Sequence, residues 1–196
     1  MVPKLVDHEE RRARIADAAW RLIAERGIEA ATMRAIAEAI GMANGALKHY
    51  FPDKNSIIRV AFTHVFDSTN LRVRERLRGR SGMAALRVFC EEIMPVADLT
   101  DLEARVVLPF WQRALADPDL KRLYTDSMAL WRGQIIDFLR QGREEGTVRT
   151  STPDDVVAEQ LLAMLNGLQS LALLDAASGT ADVQRRTVEA FLGSLK

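Results

Sequence analysis

One cysteine, Cys90, is too few for a disulfide within the chain, and a lone thiol fits a reducing compartment. The three histidines, His8, His49 and His64, share no ligand spacing with it or with one another, so neither a metal site nor a cofactor is expected. No apolar run approaches the ~18 residues of a membrane span. The first residues, MVPKLVDHEERR, lack the apolar stretch of a secretory signal. These absences make a cytoplasmic chain the expectation, with no membrane partner. There is no Ser-His-Asp set, no paired-carboxylate motif and no phosphate-binding glycine loop, which argues against an enzyme. Net charge is also absent, because 27 Lys and Arg balance 27 Asp and Glu. Strand-type alternation is missing throughout.

What is present is helical periodicity, with Gly and Pro falling between the periodic segments. The expectation is an all-α chain of about nine helices. The first runs from about Asp7, with Asp7 and Glu10 as a capping pair, to Arg26, with Ile15, Ala18, Ala19, Leu22 and Ile23 as its apolar stripe. Two short helices follow at about 33–40 and 44–50. A long fourth helix, about 53–78, buries Ile57, Ile58, Ala61, Phe62, Val65 and Phe66, and is long enough to leave one domain and enter the next. Further helices are expected at about 83–94, 101–116 (bent at Pro109), 118–145, 153–177 with Thr152 as cap and Pro153 at its first position, and from Thr180 onward.

The stretch from Thr32 to Lys54 carries the most chemistry. Thr32 can cap a helix on which Ile36 and Ile40 share one face. Ala37 keeps a crossing helix close. Gly41 permits a turn at positive φ, and Met42, Leu47 and Tyr50 pack the next helix. Two short helices joined by a glycine turn form a helix-turn-helix, whose second helix enters the DNA major groove. The charge split permits this: residues 1–60 carry ten Lys and Arg against eight Asp and Glu, and residues 61–196 carry seventeen against nineteen. Only charges on the DNA-facing surface release counterions.

The run Gly45-Ala46-Leu47-Lys48-His49-Tyr50-Phe51-Pro52-Asp53-Lys54 resembles the stretch that marks TetR-family transcriptional regulators. It matches at Gly45, Leu47, Tyr50, Phe51 and Lys54, and departs at Lys48, where the family often has tyrosine. Ile15, Ala18, Ala19, Leu22, Ile23 and Gly27, then Thr32-Met33-Arg34 and Ile36-Ala37, resemble the family's first helix and the start of its second, so the likeness covers about residues 10–60. It implies a DNA-binding domain over residues 1–52 and a ligand-binding and dimerisation domain over 53–196. It also implies contacts to a palindromic double-stranded operator from Thr32, Arg34, Ala43, Asn44, Ala46, Lys48, His49, Tyr50 and Lys54. Thr32 and Arg34 would use a helix N-terminus that favours phosphate. Asn44 would either cap its helix or pair with adenine.

In the remainder, Phe110-Trp111, Asp117-Pro118 and Leu123-Tyr124 are similar to the ligand domain of betaine-pathway repressors that sense choline. Candidate ligand-binding residues are Phe89, Met94, Phe110, Trp111, Tyr124, Met128, Trp131, Met164 and Gln169. Aromatic cages suit quaternary ammonium ions, and methionines line adaptable pockets. The effector is therefore a quaternary ammonium compound or an apolar or aromatic molecule. Val157, Leu161, Leu165, Leu168, Val188, Phe191 and Leu192 form an apolar surplus on the last two helices and are expected at a homodimer interface. The arginines at 72, 74, 76, 78 and 80 alternate by two and read as solvated charges at a helix C-terminus. The expected function is a homodimeric repressor released from DNA by a small molecule. The alternative is a constitutive regulator or activator with no effector pocket.

Overall fold

A computed structural model describes residues 4–48, 50–175 and 177–196, and the described residues are helical with no strand. Nine helices follow in order: α1 (Lys4–Arg26), α2 (Met33–Ala39), α3 (Asn44–Leu47), α4 (Lys54–Leu77), α5 (Gly82–Ile93), α6 (Asp98–Ala114), α7 (Pro118–Glu144), α8 (Asp154–Leu174) and α9 (Ala181–Gly193).

Local chemistry sets most of the boundaries. Thr32 Oγ1 accepts from Ala35 N at 3.1 Å and starts α2. Asp53 accepts from Ser56 N at 2.7 Å, while Ser56 Oγ accepts from Asp53 N at 3.3 Å, a reciprocal cap that fixes the start of α4. Asp117 accepts from Asp119 N and Leu120 N, and Pro118 opens α7. Gly27, at φ +82°, stops α1.

Four helices differ from expectation in their boundaries. Helix α1 begins at Lys4, three residues before Asp7, so Asp7 lies within the helix and not at its start. Helix α3 is a single turn; beyond it Tyr50 N and Phe51 N both donate to Leu47 O. Helix α6 starts at Asp98, where Thr100 Oγ1 accepts from Ala97 N at 3.1 Å, and runs on through Pro109. Pro153 occupies the N-cap position of α8, displacing Thr152, and α8 ends at Leu174.

The buried residues form one cluster extending from α1, α2 and α4 into α5–α9. Helix α4 packs against α1 at one end and α5, α6 and α7 along the rest, burying Ile57, Ile58, Ala61, Phe62, Val65 and Phe66. By length and composition α8 could cross a bilayer, but Val157, Leu161, Leu165 and Leu168 lie in the core.

Candidate functional site

The N-terminal site is built on α2 and α3. Ile36, Ala37 and Leu47 are fully buried, and Phe51 nearly so, which locks the two helices together. Gly41 takes φ +67°, and Met42 N donates to Ala37 O at 2.8 Å, closing the turn. Opposite this packing, Thr32, Arg34, Ala43 and Lys48 are exposed, with Ala46 and Tyr50 half-buried. Ala43 holds the N-cap position of α3, so Asn44 is its first helical residue. The side chain of Asn44, and His49 altogether, lie outside the described residues. Lys54 stands in the first turn of α4, its Nζ donating to Glu29 Oε2 at 2.6 Å.

That ion pair opens a polar junction between the two halves of the chain. Arg113, near the end of α6, lies 3.7 Å from Glu29 and donates to Asn55 Oδ1 at 3.1 Å. Asn55 Nδ2 donates to Asp117 Oδ2 at 2.6 Å, and Asp117 is the cap of α7. The Lys54 bond holds the Glu29 carboxyl below its usual range.

The second site is a cavity of about 30 Å³ enclosed by α4, α5, α6, α7 and α8. Phe62, Phe66, Val107, Trp111, Met128 and Trp131 form its apolar walls; Thr69, Glu92, Thr100, Glu103, Asn166 and Gln169 supply its polar groups. Phe66 and Trp131 lie with ring centroids 5.0 Å apart, and Trp131 Nε1 donates to Asn70 Oδ1 at 2.9 Å. An open groove of about 410 Å³ shares Trp111 and Asn166 with the cavity and adds Ala114, Leu115, Lys121 and Tyr124. Between the two spaces, Asn166 Nδ2 donates to Tyr124 Oη at 3.3 Å.

Of the residues expected to bind ligand, Trp111, Met128, Trp131 and Gln169 line the cavity and Tyr124 lines the groove. Phe89, Met94 and Phe110 are fully buried behind the walls, with Phe110 stacked on Phe62 at 3.7 Å; Met164 is half-buried and lines neither space.

Of the arginine run, Arg74, Arg78 and Arg80 are exposed, with Arg80 donating to Arg76 O at the C-terminal end of α4 as expected, whereas Arg72 and Arg76 are tied to carboxylates. Arg72 is half-buried and donates to Glu103 through both terminal nitrogens, at 2.8 and 2.7 Å, and through Nε to Glu92 at 2.7 Å. Arg76 Nη1 holds the other Glu92 oxygen at 2.6 Å. Burial pushes Glu92 up, but Arg76 and Arg72 outweigh it and hold the group below the usual carboxylate range. Burial prevails at Glu103, whose carboxyl stays raised despite its Arg72 bonds. Sequence reading missed this network of four, although a signal existed. Arg72 and Arg76 are four apart on one helical face, Glu92 follows Val88 and Phe89 on the apolar face of α5, and Glu103 lies with Val106 and Val107 on that of α6.

The residues expected at a dimer interface are filled from within the chain. Val157, Leu161, Leu165, Leu168, Val188 and Leu192 are buried in the core, and Phe191 is half-buried. The outer face of α8 instead presents Val156, Ala163, Gly167, Leu171 and Leu174.

Residues 15–61 match the family model for bacterial regulatory proteins of the tetR family, and residues 82–195 match that of the BetI-type transcriptional repressor C-terminal domain. The HTH-type transcriptional regulator PksA of Bacillus subtilis is 29% identical over 99% of this chain and 94% of its own. The HTH-type transcriptional regulator BetI of Burkholderia lata is 32% identical over 85% of this chain and 84% of its own. Among solved structures, a transcriptional regulator of Saccharomonospora viridis in complex with choline superposes with a TM-score of 0.86 at 27% identity, over 94% of this chain and 96% of that one.

Proposed function

The chain belongs to the TetR family and is a transcriptional regulator, not an enzyme; on that premise we propose that it is a homodimeric repressor released from its operator by a small organic cation. Residues 1–52 bind DNA in this reading, through Thr32, Arg34, Ala43, Asn44, Ala46, Lys48, His49 and Tyr50, with Lys54 adding a contact from the first turn of α4. Residues 53–196 bind the effector and the second subunit. The protein acts in the cytoplasm, where its operator is.

One observation carries the ligand class: two carboxylates, Glu92 and Glu103, face a cavity walled by Phe62, Phe66, Trp111 and Trp131. Aromatic faces attract cations, more strongly when water is excluded. Glu92 and Glu103 line the cavity while their partners Arg72 and Arg76 do not, so the carboxylates stand nearer to a positive guest than the guanidinium groups do. The choline complex of the Saccharomonospora viridis regulator supports the same class. The closed cavity holds about two water molecules at ~15 Å³ each, so a guest of choline's size requires opening toward the groove behind Trp111 and Asn166.

That opening supplies the switch. Phe62, Val65, Phe66 and Thr69 of α4 line the cavity, and the same helix begins at Lys54 beside the DNA-reading helices. A guest that favours the open cavity favours another tilt of α4, which changes the spacing of the two recognition helices. A coupling of about 1–3 kcal/mol changes operator affinity about 5–150-fold. The two helices read half-sites about 34–36 Å apart, or a multiple of that. The exposed stripe of α8, with small Ala163 and Gly167 between Val156 and Leu171, offers the close-packing face for the second subunit.

The test is gel retardation of the DNA upstream of the gene by purified protein, with choline titrated in. The expected result is a specific, salt-sensitive complex that choline dissolves. A complex that persists while choline perturbs the tryptophan fluorescence would show a ligand site uncoupled from DNA.

A further inference from the structure

The polar groups around the cavity are almost all satisfied by the chain itself. Both oxygens of Glu103 accept from Arg72, and those of Glu92 accept one each from Arg72 and Arg76. Thr69 Oγ1 donates to Val65 O at 2.9 Å, and Thr100 Oγ1 donates to Ala97 O at 3.0 Å. Gln169 is the exception. It is 5% exposed, and its Nε2 reaches Ile93 O at 3.4 Å, which orients the amide. Gln169 lines the cavity, and its Oε1 has no hydrogen-bond partner, the sole fully buried side-chain atom so left among the described lining residues. A buried acceptor left unpaired is costly, so a guest that supplies a donor there gains what a guest without one forfeits.

We propose that Gln169 is the specificity-determining residue of this cavity, and that the effector joins to its cationic centre a hydroxyl or N–H group that donates to Gln169 Oε1. The division of labour follows from the pairing. Because the arginines already occupy the carboxylate oxygens, the cation is held by ring faces and by the field and needs no N–H of its own. The one directional contact left to the ligand is the donor. This rests on the cationic reading above, but Gln169 makes a separate demand, so the two are separable by experiment.

Three probes of similar shape divide them: choline, which has both charge and donor; n-propyltrimethylammonium, which has the charge alone; and 3,3-dimethylbutan-1-ol, which has the donor alone. Each is titrated into the full-length protein and into Gln169→Met, a replacement of similar length, following tryptophan fluorescence and heat of binding. In the unaltered protein choline binds about 5- to 150-fold tighter than n-propyltrimethylammonium, the range expected for a buried acceptor left unpaired. In Gln169→Met that ratio falls to about one. Equal binding of the two ammonium ions by the unaltered protein overturns the proposal without help from the variant. A preference that survives in Gln169→Met overturns the assignment to Gln169. If the neutral alcohol matches choline while n-propyltrimethylammonium lags, the donor requirement stands and the cationic reading falls. If none of the three binds at millimolar concentration, both fall.

Discussion

His64 sits where α1 packs on α4, its ring stacked on Trp20 with centroids 5.7 Å apart and planes 17° from parallel. Burial holds the imidazole below its ordinary 6.5, with Asp17 and Asp67 pulling weakly the other way and Arg21 adding to the depression. A histidine whose folded pKa is depressed binds protons less readily than its unfolded form. Stability is then full above 6.5 and declines as pH falls through that value toward the folded pKa. The carboxylates held low by partners, such as Glu92 and Glu189, lose their contribution only below their ordinary 4.5, so the two windows separate. Thermal unfolding followed by circular dichroism is expected to show a midpoint that drops between pH 7 and pH 5.5. His64→Phe, which keeps the stack and removes the proton, is expected to flatten that drop. A slope unchanged in the variant would assign it to another group. Nothing in the sequence pointed to this contact, because Trp20 and His64 lie on different helices 44 positions apart in register and only packing brings them together.

Among elements, the start of α4 joins the two halves of the chain through a polar junction. Lys54 is assigned to the DNA backbone, yet its ammonium is bonded to Glu29, while Arg113 from α6 approaches the same carboxylate. Glu29 is therefore shared between Lys54, a proposed DNA contact, and Arg113 of α6. Glu29→Gln removes the competitor for Lys54. The expected result is a few-fold tighter operator binding, with the slope of log affinity against log salt steeper by about one charge. In a Lys54→Ala background the same change is expected to bring no gain. A gain of equal size there would mean that Glu29 acts by general repulsion of phosphate and that Lys54 makes no contact of its own. The helix order and the turn at Gly41 were legible in the sequence because periodicity, caps and glycine are local signals. The one-turn length of α3 was not: Leu47, Tyr50 and Phe51 keep a helical apolar spacing, while the backbone bonds after Leu47 close a turn and Pro52 ends it. The buried Arg72 network escaped notice for a similar reason. Charge spacing along one helix says nothing of the carboxylates that two other helices bring to meet it.

At the scale of the whole molecule, the apolar content of α8 serves two surfaces. Sequence reading saw the surplus and assigned Val157, Leu161, Leu165 and Leu168 to a partner, but these fill the chain's own core. Hydrophobicity reports how much surface must be covered and not by what, so the allocation waited on the packing of α8 against α6 and α7. What remains outside is the opposite stripe, on which Val156 is 42% exposed, Leu171 41% and Leu174 79%. Ala163 and Gly167 lie between them, and their small side chains let a second helix approach. A lone helix-turn-helix holds DNA weakly, while two held in one body bind the second half-site at high effective concentration. The double change Leu171→Glu and Leu174→Glu puts like charges across a two-fold axis and touches no residue of the core. It is expected to give a monomer in sedimentation velocity with unchanged helicity by circular dichroism, and to weaken binding to a two-half-site operator about 10²–10⁴-fold while leaving single half-site binding nearly as before. A variant that still sediments as a dimer would move the interface off this stripe. A monomer that still binds the full operator tightly would show that avidity is not the source of its affinity, and the proposed release by mis-spaced recognition helices would lose its physical basis.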